Sequence, residues 1–173
     1  MVTICVREES PDDIDAIRCL NEKAFVQLAE ANIVERLREN CPNLLSLVAI
    51  KADQTVGHLL FSPVRIEGNG KTISGMGLAP MAVLPEYQRR GIGSLLVQNG
   101  LEILKDQSCP FVIVLGHPEY YPRFGFERAS LYGIRSQWEG VPDEAFMIRI
   151  LDQEAMREAT GMARYQREFD EAI

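Results

Sequence analysis

The sequence predicts an α/β protein, and a strand, helix and strand between residues 81 and 115 carry that prediction. Met81 to Leu84 form a short apolar run that Pro85 ends, and after a basic turn the residues from Ile92 onward place large apolar side chains on one helical face. Phe111 to Leu115 are continuously apolar, which is typical of a parallel strand buried on both faces. This order predicts a right-handed parallel crossover, with a ligand crevice at the carboxyl ends of the strands.

Length and composition fit one globular domain spanning residues 1–173, with a core over about 3–151 and an extension over 152–173. The chain is 46% hydrophobic and 25% charged, as globular proteins of this size are. It has no apolar run of membrane-spanning length and no secretion signal, so we expect a cytoplasmic protein without a membrane partner. The formal net charge of −7 argues against nucleic acid and suits a cationic amine. Four scattered cysteines and two histidines predict reduced thiols and no metal site.

The amino-terminal half predicts a strand, two helices and a hairpin. Residues 3–7 alternate as a strand does, and Ser10, Pro11 and Asp13 are typical of the first positions of a helix that runs to about Phe25. The remaining elements are a helix over 31–39, strands over 45–50 and 56–64 around a turn at 52–54, and a central strand over 73–84 after a turn at 68–70.

The central strand contains residues that pair poorly. Gly75 and Gly77 pack nothing, and Pro80 donates no ladder hydrogen bond. We therefore expect a bulge or splay there. Further on, residues 146–151 predict a last core strand, 152–158 an acidic helical turn, and 161–169 a short edge strand.

The turn from Gln88 to Gly93 predicts an anion-binding site. A helix start presents amide groups without intrahelical acceptors and a partial positive charge, which favours phosphate. Gly91 and Gly93 let a ligand approach the backbone, and Arg89 and Arg90 add positive charge. An ordinary strand-to-helix connection with a solvated basic tip is the alternative on this pattern alone.

Two motifs narrow the choice. Gln-x-x-Gly-x-Gly follows Ala-Val-x-Pro between Ala82 and Leu96, and Tyr-x-x-x-Gly-Phe spans Tyr121 to Phe126. Together they resemble the GNAT superfamily of acyl-CoA-dependent N-acetyltransferases. The resemblance implies a mixed central sheet of about seven strands with flanking helices, splayed at a bulge, and acetyl-CoA as cosubstrate. It also implies that the first two helices and their linker form one wall of the acceptor site, which makes Phe25 to Asn32 a candidate substrate lip.

The resemblance assigns the cosubstrate to one stretch of chain. The backbone from Arg89 to Ser94 would cradle the pyrophosphate, and backbone groups from Met81 to Val83 would pair with the pantetheine arm. The predicted acetyl-CoA-binding residues are Met81, Ala82, Val83, Gln88, Arg89, Arg90, Gly91, Ile92, Gly93 and Ser94.

The resemblance also assigns a general acid. Tyr121 holds the position from which many relatives protonate the leaving thiolate, and the adjacent Tyr120 is the substitute. The alternative is that Tyr121 only packs in the core or against the cofactor. The implied function is acetyl transfer to a primary amine of an unidentified small molecule, peptide or protein. The alternative is a non-catalytic acyl-CoA-binding regulatory or interaction module on the same fold, and a homodimer is an open possibility.

The general base cannot be read from the sequence. His58 has a suitable ordinary pKa but fits a structural role as well, and Glu86, His117 and relayed water are further alternatives. A covalent acetyl-cysteine route through Cys109 lacks a nearby activating base, so we expect direct transfer.

Overall fold

The computed structural model describes residues 2–170, which form three α-helices and a nine-stranded mixed sheet. The helices are α1 (Ile14–Phe25), α2 (Ala29–Asn40) and α3 (Ile92–Asp106). The strands are β1 (Ile4–Glu8), β2 (Leu45–Lys51), β3 (Gln54–Gly68), β4 (Lys71–Val83), β5 (Phe111–Leu115), β6 (Glu127–Arg128), β7 (Ile134–Ser136), β8 (Phe146–Ile150) and β9 (Gly161–Arg164). The predicted α/β class, with a mixed sheet and helices beside it, is confirmed.

The strand order is β1-β2-β3-β4-β5-β8-β6, and β9 pairs with both β3 and β7. The sheet therefore has two strands more than the seven that the sequence indicates. The two additional strands, β6 and β7, are two and three residues long, so neither is long enough to show an alternating pattern.

The described residues group into two compact units. The first holds residues 2–61, 80–100 and 167–170, and the second holds residues 62–79 and 101–166. Both β3 and β4 contribute residues to each unit. A single domain over 1–173 stays a prediction.

In the first unit, β2 pairs antiparallel with β1 and with the first half of β3. The connection between β2 and β3 places Ala52 and Asp53 at φ values of 47° and 63°, the left-handed geometry of a tight hairpin turn. Helices α1 and α2 bury one apolar stripe each, as their spacing predicts. The buried residues of these two stripes include Ile17, Leu20, Ile33, Val34 and Leu37.

Helix α1 begins through a short 3₁₀ turn over Pro11–Asp13, with Ser10 at the predicted N-cap position. Ser10 and Asp13 form a capping box. The Asp13 carboxylate accepts from the Ser10 amide at 2.7 Å and from the Ser10 hydroxyl at 3.1 Å. It also forms an ion pair of 2.6 Å with Arg7, and the hydrogen bond from Arg7 is the main reason that the pKa of Asp13 falls to about 2.

In the second unit, β5 lies between a parallel neighbour, β4, and an antiparallel one, β8. The ladder between β4 and β5 is short, because only Met76 and Gly77 have partners on β5. Gly75 has a packing reason, since a Cβ atom there would lie 2.6 Å from the Phe111 ring. The predicted parallel strand pair is confirmed, while the predicted bulge in β4 stays a prediction.

The carboxyl-terminal strand corrects one expectation. Residues 161–169 were expected to form an edge strand, but β9 is paired on both sides, antiparallel to β3 and parallel to β7. The second partner of β9 is β7, a three-residue strand that the sequence does not predict. After β9 the chain forms a 3₁₀ turn over Arg167–Phe169 instead of continuing as a strand.

Within residues 2–170, no helix combines the length and the apolar content that a membrane span requires.

Candidate functional site

The Gln88–Ser94 turn has the backbone geometry of an anion-binding loop. Arg89 and Gly91 have φ values of 61° and 82°, so left-handed residues alternate with ordinary ones before α3. Such alternation turns successive amide groups toward one concave side. The amide of Leu95 donates to the Gly91 carbonyl at 3.0 Å, which is the first turn of α3.

Two contacts hold this turn in place. The Gln88 side chain donates from Nε2 to the Val83 carbonyl at 3.0 Å, which fastens the turn to the end of β4. The Arg90 guanidinium lies 5.8 Å from the ring centroid of Tyr87, and Lys51 Nζ lies 5.1 Å from the same ring. Cation–π contacts with the Tyr87 ring therefore place the positive charges of Lys51 and Arg90 beside the turn. The sequence does not predict this role of Tyr87, because the role depends on Lys51, which is distant in the chain.

The turn has room for a ligand. A Cβ atom built on Gly91 meets no heavy atom within 4 Å, and residues 88–91 are exposed. Arg89 and Arg90 are thus exposed, and the positive end of the α3 dipole lies at the same turn. Open space, left-handed backbone and positive charge fit the pyrophosphate of coenzyme A.

The predicted cosubstrate residues Met81, Ala82 and Val83 are the last three residues of β4. Ala82 is buried, while Met81 and Val83 are half-buried. The Val83 carbonyl accepts from the Gln88 side chain. The Ile92 side chain is buried in the core, so the predicted role of this residue in binding acetyl-CoA would fall to its backbone.

Tyr121 opens a 3₁₀ turn over Tyr121–Phe124 that Gly125 closes in a left-handed conformation. Its ring is buried against aromatic neighbours, with centroids at 5.1 Å from Tyr120 and 5.6 Å from Phe126. Gly116 makes this possible, since a Cβ atom there would lie 2.4 Å from the Tyr121 ring.

Burial raises the pKa of Tyr121 above its ordinary value, and the neighbouring Tyr120 raises it further. The phenol therefore keeps its proton throughout the neutral range, which a general acid requires. The same burial makes it a weaker acid than a free phenol. Tyr120 is less buried, and its ring lies 4.5 Å from the Arg123 guanidinium.

His58 is fully buried and belongs to a closed group of polar side chains, here called the His58 cluster: Glu9, Asn21, Arg38, Ser46 and His58. The Asn21 amide nitrogen lies 3.3 Å from His58 Nδ1 and donates to the Ile17 carbonyl at 3.0 Å. An amide NH₂ can only donate, so Nδ1 is the acceptor and the imidazole proton sits on Nε2. That Nε2 donates to the Ser46 hydroxyl at 2.9 Å.

The cluster continues to a carboxylate. Ser46 donates to Glu9 Oε2, and Arg38 makes two bonds of 3.0 Å to the same carboxylate. Burial would raise the pKa of Glu9, but the bonds from Arg38 and Ser46 outweigh it and the pKa is lowered. His58 thus has both ring nitrogens engaged and no exposure to solvent, which favours the structural role over that of general base.

Cys109, Glu86 and His117 complete the set of sequence candidates. Cys109 is half-buried and its thiol donates to the Phe111 carbonyl at 3.2 Å. Burial raises the pKa of Cys109, so its reactive thiolate form is disfavoured and a covalent route loses support. Glu86 and His117 are exposed at the surface.

Beyond these candidates the described residues show no metal site and one surface cleft. In residues 2–170 no three His, Cys, Asp or Glu side chains approach closely enough to hold a metal ion. A surface cleft of about 570 Å³ is lined by residues 71–73, 154–155 and 157–159, and an ion pair of 2.8 Å joins Lys71 and Glu158 there. None of the predicted site residues lines this cleft.

Comparison with known proteins gives the class of this protein. Residues 5–129 match the family model described as an acetyltransferase (GNAT) domain. The chain belongs to this family, and the predictions of GNAT membership and of an acyltransferase are confirmed.

The most informative relatives are bacterial. The Escherichia coli protein named uncharacterized N-acetyltransferase YhbS is 36% identical over 166 residues, which cover 95% of this chain and 98% of YhbS. The crystal structure of E. coli YhbS in complex with CoA has a TM-score of 0.91 at 34% identity and covers 98% of this chain and 93% of that one. A GNAT family acetyltransferase of Brucella melitensis in complex with acetyl-CoA has a TM-score of 0.78 at 32% identity, over 97% of this chain and 99% of that one.

Proposed function

We propose that this protein transfers the acetyl group of acetyl-CoA directly to a primary amine. The observation that carries the proposal is the Gln88–Ser94 turn, which is open, left-handed at Arg89 and Gly91, and placed at the start of α3. Family membership and the CoA and acetyl-CoA complexes of the two relatives support the same ligand. Cytoplasmic location and homodimer formation stay predictions.

Two stretches of the chain bind different parts of acetyl-CoA. The backbone of residues 89–94 binds the pyrophosphate through amide groups, and Arg89 and Arg90 neutralise part of its charge. Backbone groups of residues 81–83 bind the pantetheine arm. When bound, the thioester supplies an activated acetyl group. The amine nitrogen bonds to the acetyl carbon, the carbon–sulfur bond breaks, and the sulfur leaves as a thiolate that takes a proton.

Tyr121 donates that proton. Because burial makes its phenol a weaker acid, proton transfer is coupled to cleavage of the carbon–sulfur bond, when the charge on sulfur is largest. The amine must lose one proton to become a nucleophile, and His58 is poorly suited to take it because the ring is sealed from solvent. Deprotonation through water requires no further side chain.

The test of the whole function is release of free CoA across a panel of primary amines that includes alkylamines, polyamines, amino acids and peptide amino termini. We expect amine-dependent release with at least one class. Binding of CoA by calorimetry without turnover on any class would instead favour the non-catalytic acyl-CoA-binding module.

The test of the acid is Tyr121→Phe, with Tyr120→Phe as the matched control. The substitution keeps the ring and its packing, so the KM for acetyl-CoA should stay nearly constant, while kcat should fall by about 10²–10⁴-fold. Retention of more than about a third of kcat by Tyr121→Phe, together with a large loss in Tyr120→Phe, would assign the acid to Tyr120. If neither change slows turnover, a viscosity dependence of kcat would identify product release as the limiting step.

A further inference from the structure

A group of cations at and beside the Gln88–Ser94 turn has no carboxylate partner among residues 2–170. Its members are Lys51, Arg89 and Arg90. Elsewhere in the same compact unit, ion pairs with carboxylates are formed by Arg7, Arg18 and Arg38. The protein carries 25 acidic against 18 basic side chains, so carboxylates are plentiful. Cations that such a chain leaves unneutralised are available to an anion from outside.

The ring of Tyr87 holds two of these cations. Lys51 Nζ lies 5.1 Å from the ring centroid, and the guanidinium carbon of Arg90 lies 5.8 Å from it. Each cation is attracted by the negative face of the aromatic ring. The two positive charges repel each other, because the ring between them is neutral. An anion that binds beside them removes this repulsion, so the arrangement favours an anionic ligand.

The hairpin turn between β2 and β3 fixes the position of this contact. Lys51 is the last residue of β2 and pairs with Gln54, the first residue of β3. The Tyr87 hydroxyl donates to Gln54 Oε1 at 3.4 Å. Tyr87 ends a 3₁₀ turn, and its amide donates to the Leu84 carbonyl at 2.8 Å. The ammonium group and the ring are therefore both carried by hydrogen-bonded backbone of one compact unit.

The charges of this group exceed those that a pyrophosphate requires. In a pyrophosphate diester each phosphorus carries one negative charge, which Arg89, Arg90 and the positive end of α3 can match. Coenzyme A also has a phosphate monoester on its ribose, and such a group carries about 1.5 to 2 further negative charges at pH 7. Lys51 is the additional cation, and it matches this additional charge.

We propose that Tyr87 is a positioning residue for acetyl-CoA, because its ring holds Lys51 and Arg90 beside the turn. The positioned charges give the protein a preference for a ligand that carries the ribose phosphate. Tyr87 acts through the two cations and touches none of the reacting atoms. The inference rests on the proposed function in one respect, since it takes residues 88–94 to bind the pyrophosphate. It is independent of the amine and of the general acid.

The experiment is calorimetry on the full-length protein with CoA and with 3′-dephospho-CoA, which lacks the ribose phosphate. Tyr87→Leu should weaken the Kd for CoA by about tenfold, since it releases both cations. Tyr87→Phe keeps the ring and loses only the bond to Gln54, so its Kd should stay within about twofold of the wild type. Lys51→Met should weaken CoA by about fivefold and 3′-dephospho-CoA by less than about twofold.

A matched control and a double variant test whether charge is responsible. Lys105→Met removes the same charge from the exposed last turn of α3 and should leave both Kd values within about twofold of the wild type. Tyr87→Leu combined with Lys51→Met should bind CoA scarcely more weakly than Tyr87→Leu alone, because the ring and the cation act as one unit. At 1 M NaCl, where charges are screened beyond about 3 Å, the effect of Lys51→Met should vanish.

A purely structural role for Tyr87 predicts different results. Tyr87→Leu would then weaken CoA and 3′-dephospho-CoA equally, its effect would add to that of Lys51→Met, and 1 M NaCl would not change it. Any of these three results overturns the proposal. An unchanged Kd for CoA in Lys51→Met overturns it as well, and this variant does not depend on how Tyr87→Leu folds.

Turnover separates this inference from the proposed function. If an amine is acetylated, Tyr87→Leu should raise the KM for acetyl-CoA by about tenfold and leave kcat within about twofold of the wild type. Acetylation with an unchanged KM in Tyr87→Leu would overturn the role of Tyr87 alone. Binding of CoA that depends on Tyr87 and Lys51, without acetylation of any amine, would instead overturn the proposed function alone.

Discussion

The His58 cluster and the Gln88–Ser94 turn differ in how their polar groups are satisfied. The cluster contains the residue types of a catalytic triad, yet both nitrogens of His58 and both oxygens of Glu9 are engaged by side chains of the protein itself. The turn contains no classical catalytic residue, but it is exposed and left-handed, and it opens onto empty space at Gly91. In the first arrangement the ring nitrogens and the carboxylate oxygens are engaged inside the protein, and in the second the backbone and the two arginines are open to a ligand.

Glu9 and Glu30 repeat this contrast within one compact unit. The Glu9 carboxylate accepts two bonds from Arg38 and one from Ser46, whereas Glu30 accepts one bond and keeps its second oxygen unpaired. Residue type alone would rank the two carboxylates equally. Buried polar groups that satisfy one another stabilise the fold, whereas a buried polar atom without a hydrogen bond costs free energy.

The largest effect is expected from a substitution that fills the open turn. Gly91→Asp places a negative charge where the pyrophosphate should bind, and we expect at least about 100-fold weaker binding of CoA by calorimetry, with an unchanged circular dichroism spectrum. Gly70→Asp is the matched control, because Gly70 also has a positive φ, of 70°, and open space around it. Undiminished CoA binding by Gly91→Asp would reject the site.

The two carboxylates offer the next test. Glu9→Gln removes the negative charge of a partly buried ion pair with Arg38 and replaces one acceptor oxygen by a donor, and we expect the free energy of unfolding to fall by about 2 kcal/mol. Glu30→Gln removes a charge whose hydrogen bond comes from the neutral amide of Gln27, so it should change the free energy of unfolding by less than about 0.5 kcal/mol or increase it. Urea denaturation measures both variants. Equal losses would mean that Glu30 is as fully satisfied in the fold as Glu9.

The pH dependence of stability tests the closed cluster. Burial lowers the pKa of His58 to about 4, against about 6.5 in an unfolded chain, and protonated Nδ1 would face the Asn21 amide donor to donor. Between these pKa values only the unfolded chain binds the proton. The contribution is therefore fully present above about pH 6.5 and is lost as the pH falls toward 4, amounting to about 2 kcal/mol between pH 7 and 5.

Urea midpoints across this range measure the effect. The exposed histidine supplies a control, since His117→Gln should keep the slope between pH 7 and 5 while His58→Leu should lose most of it. A wild-type protein with no loss of stability over these two pH units would show that His58 is charged or accessible.

The smallest expected effect concerns the start of α1. Ser10→Ala should lower the free energy of unfolding by less than about 1 kcal/mol, because the Ser10 amide keeps its bond to Asp13. Asp13→Ala should have the larger effect, of about 1–2 kcal/mol, since it loses the bonds from Ser10 and the ion pair with Arg7. Urea unfolding would contradict this account if Ser10→Ala were the more destabilising of the two.

Much of the fold could be predicted because it depends on short-range pattern. The boundaries of α1, α2, α3 and β5 fall within a few residues of the expectation, since apolar periodicity and glycine or proline breaks act locally. The pairing of β9 on both sides could not be predicted. Its parallel partner, β7, is three residues long and has no periodic signal, and the pairing joins residues far apart in the chain.

The sequence by itself determined the α/β class, the acetyltransferase family and the location of the glycine turn, because each is encoded in consecutive residues whose spacing is preserved by local backbone geometry. Only the tertiary structure decided that His58 is sealed by Asn21 and Ser46, that Tyr87 gathers Lys51 and Arg90, and that Glu30 keeps a buried oxygen unpaired. The physical reason is that burial and hydrogen bonding depend on contacts between residues that are distant in the chain. A single sequence does not show which of these contacts form.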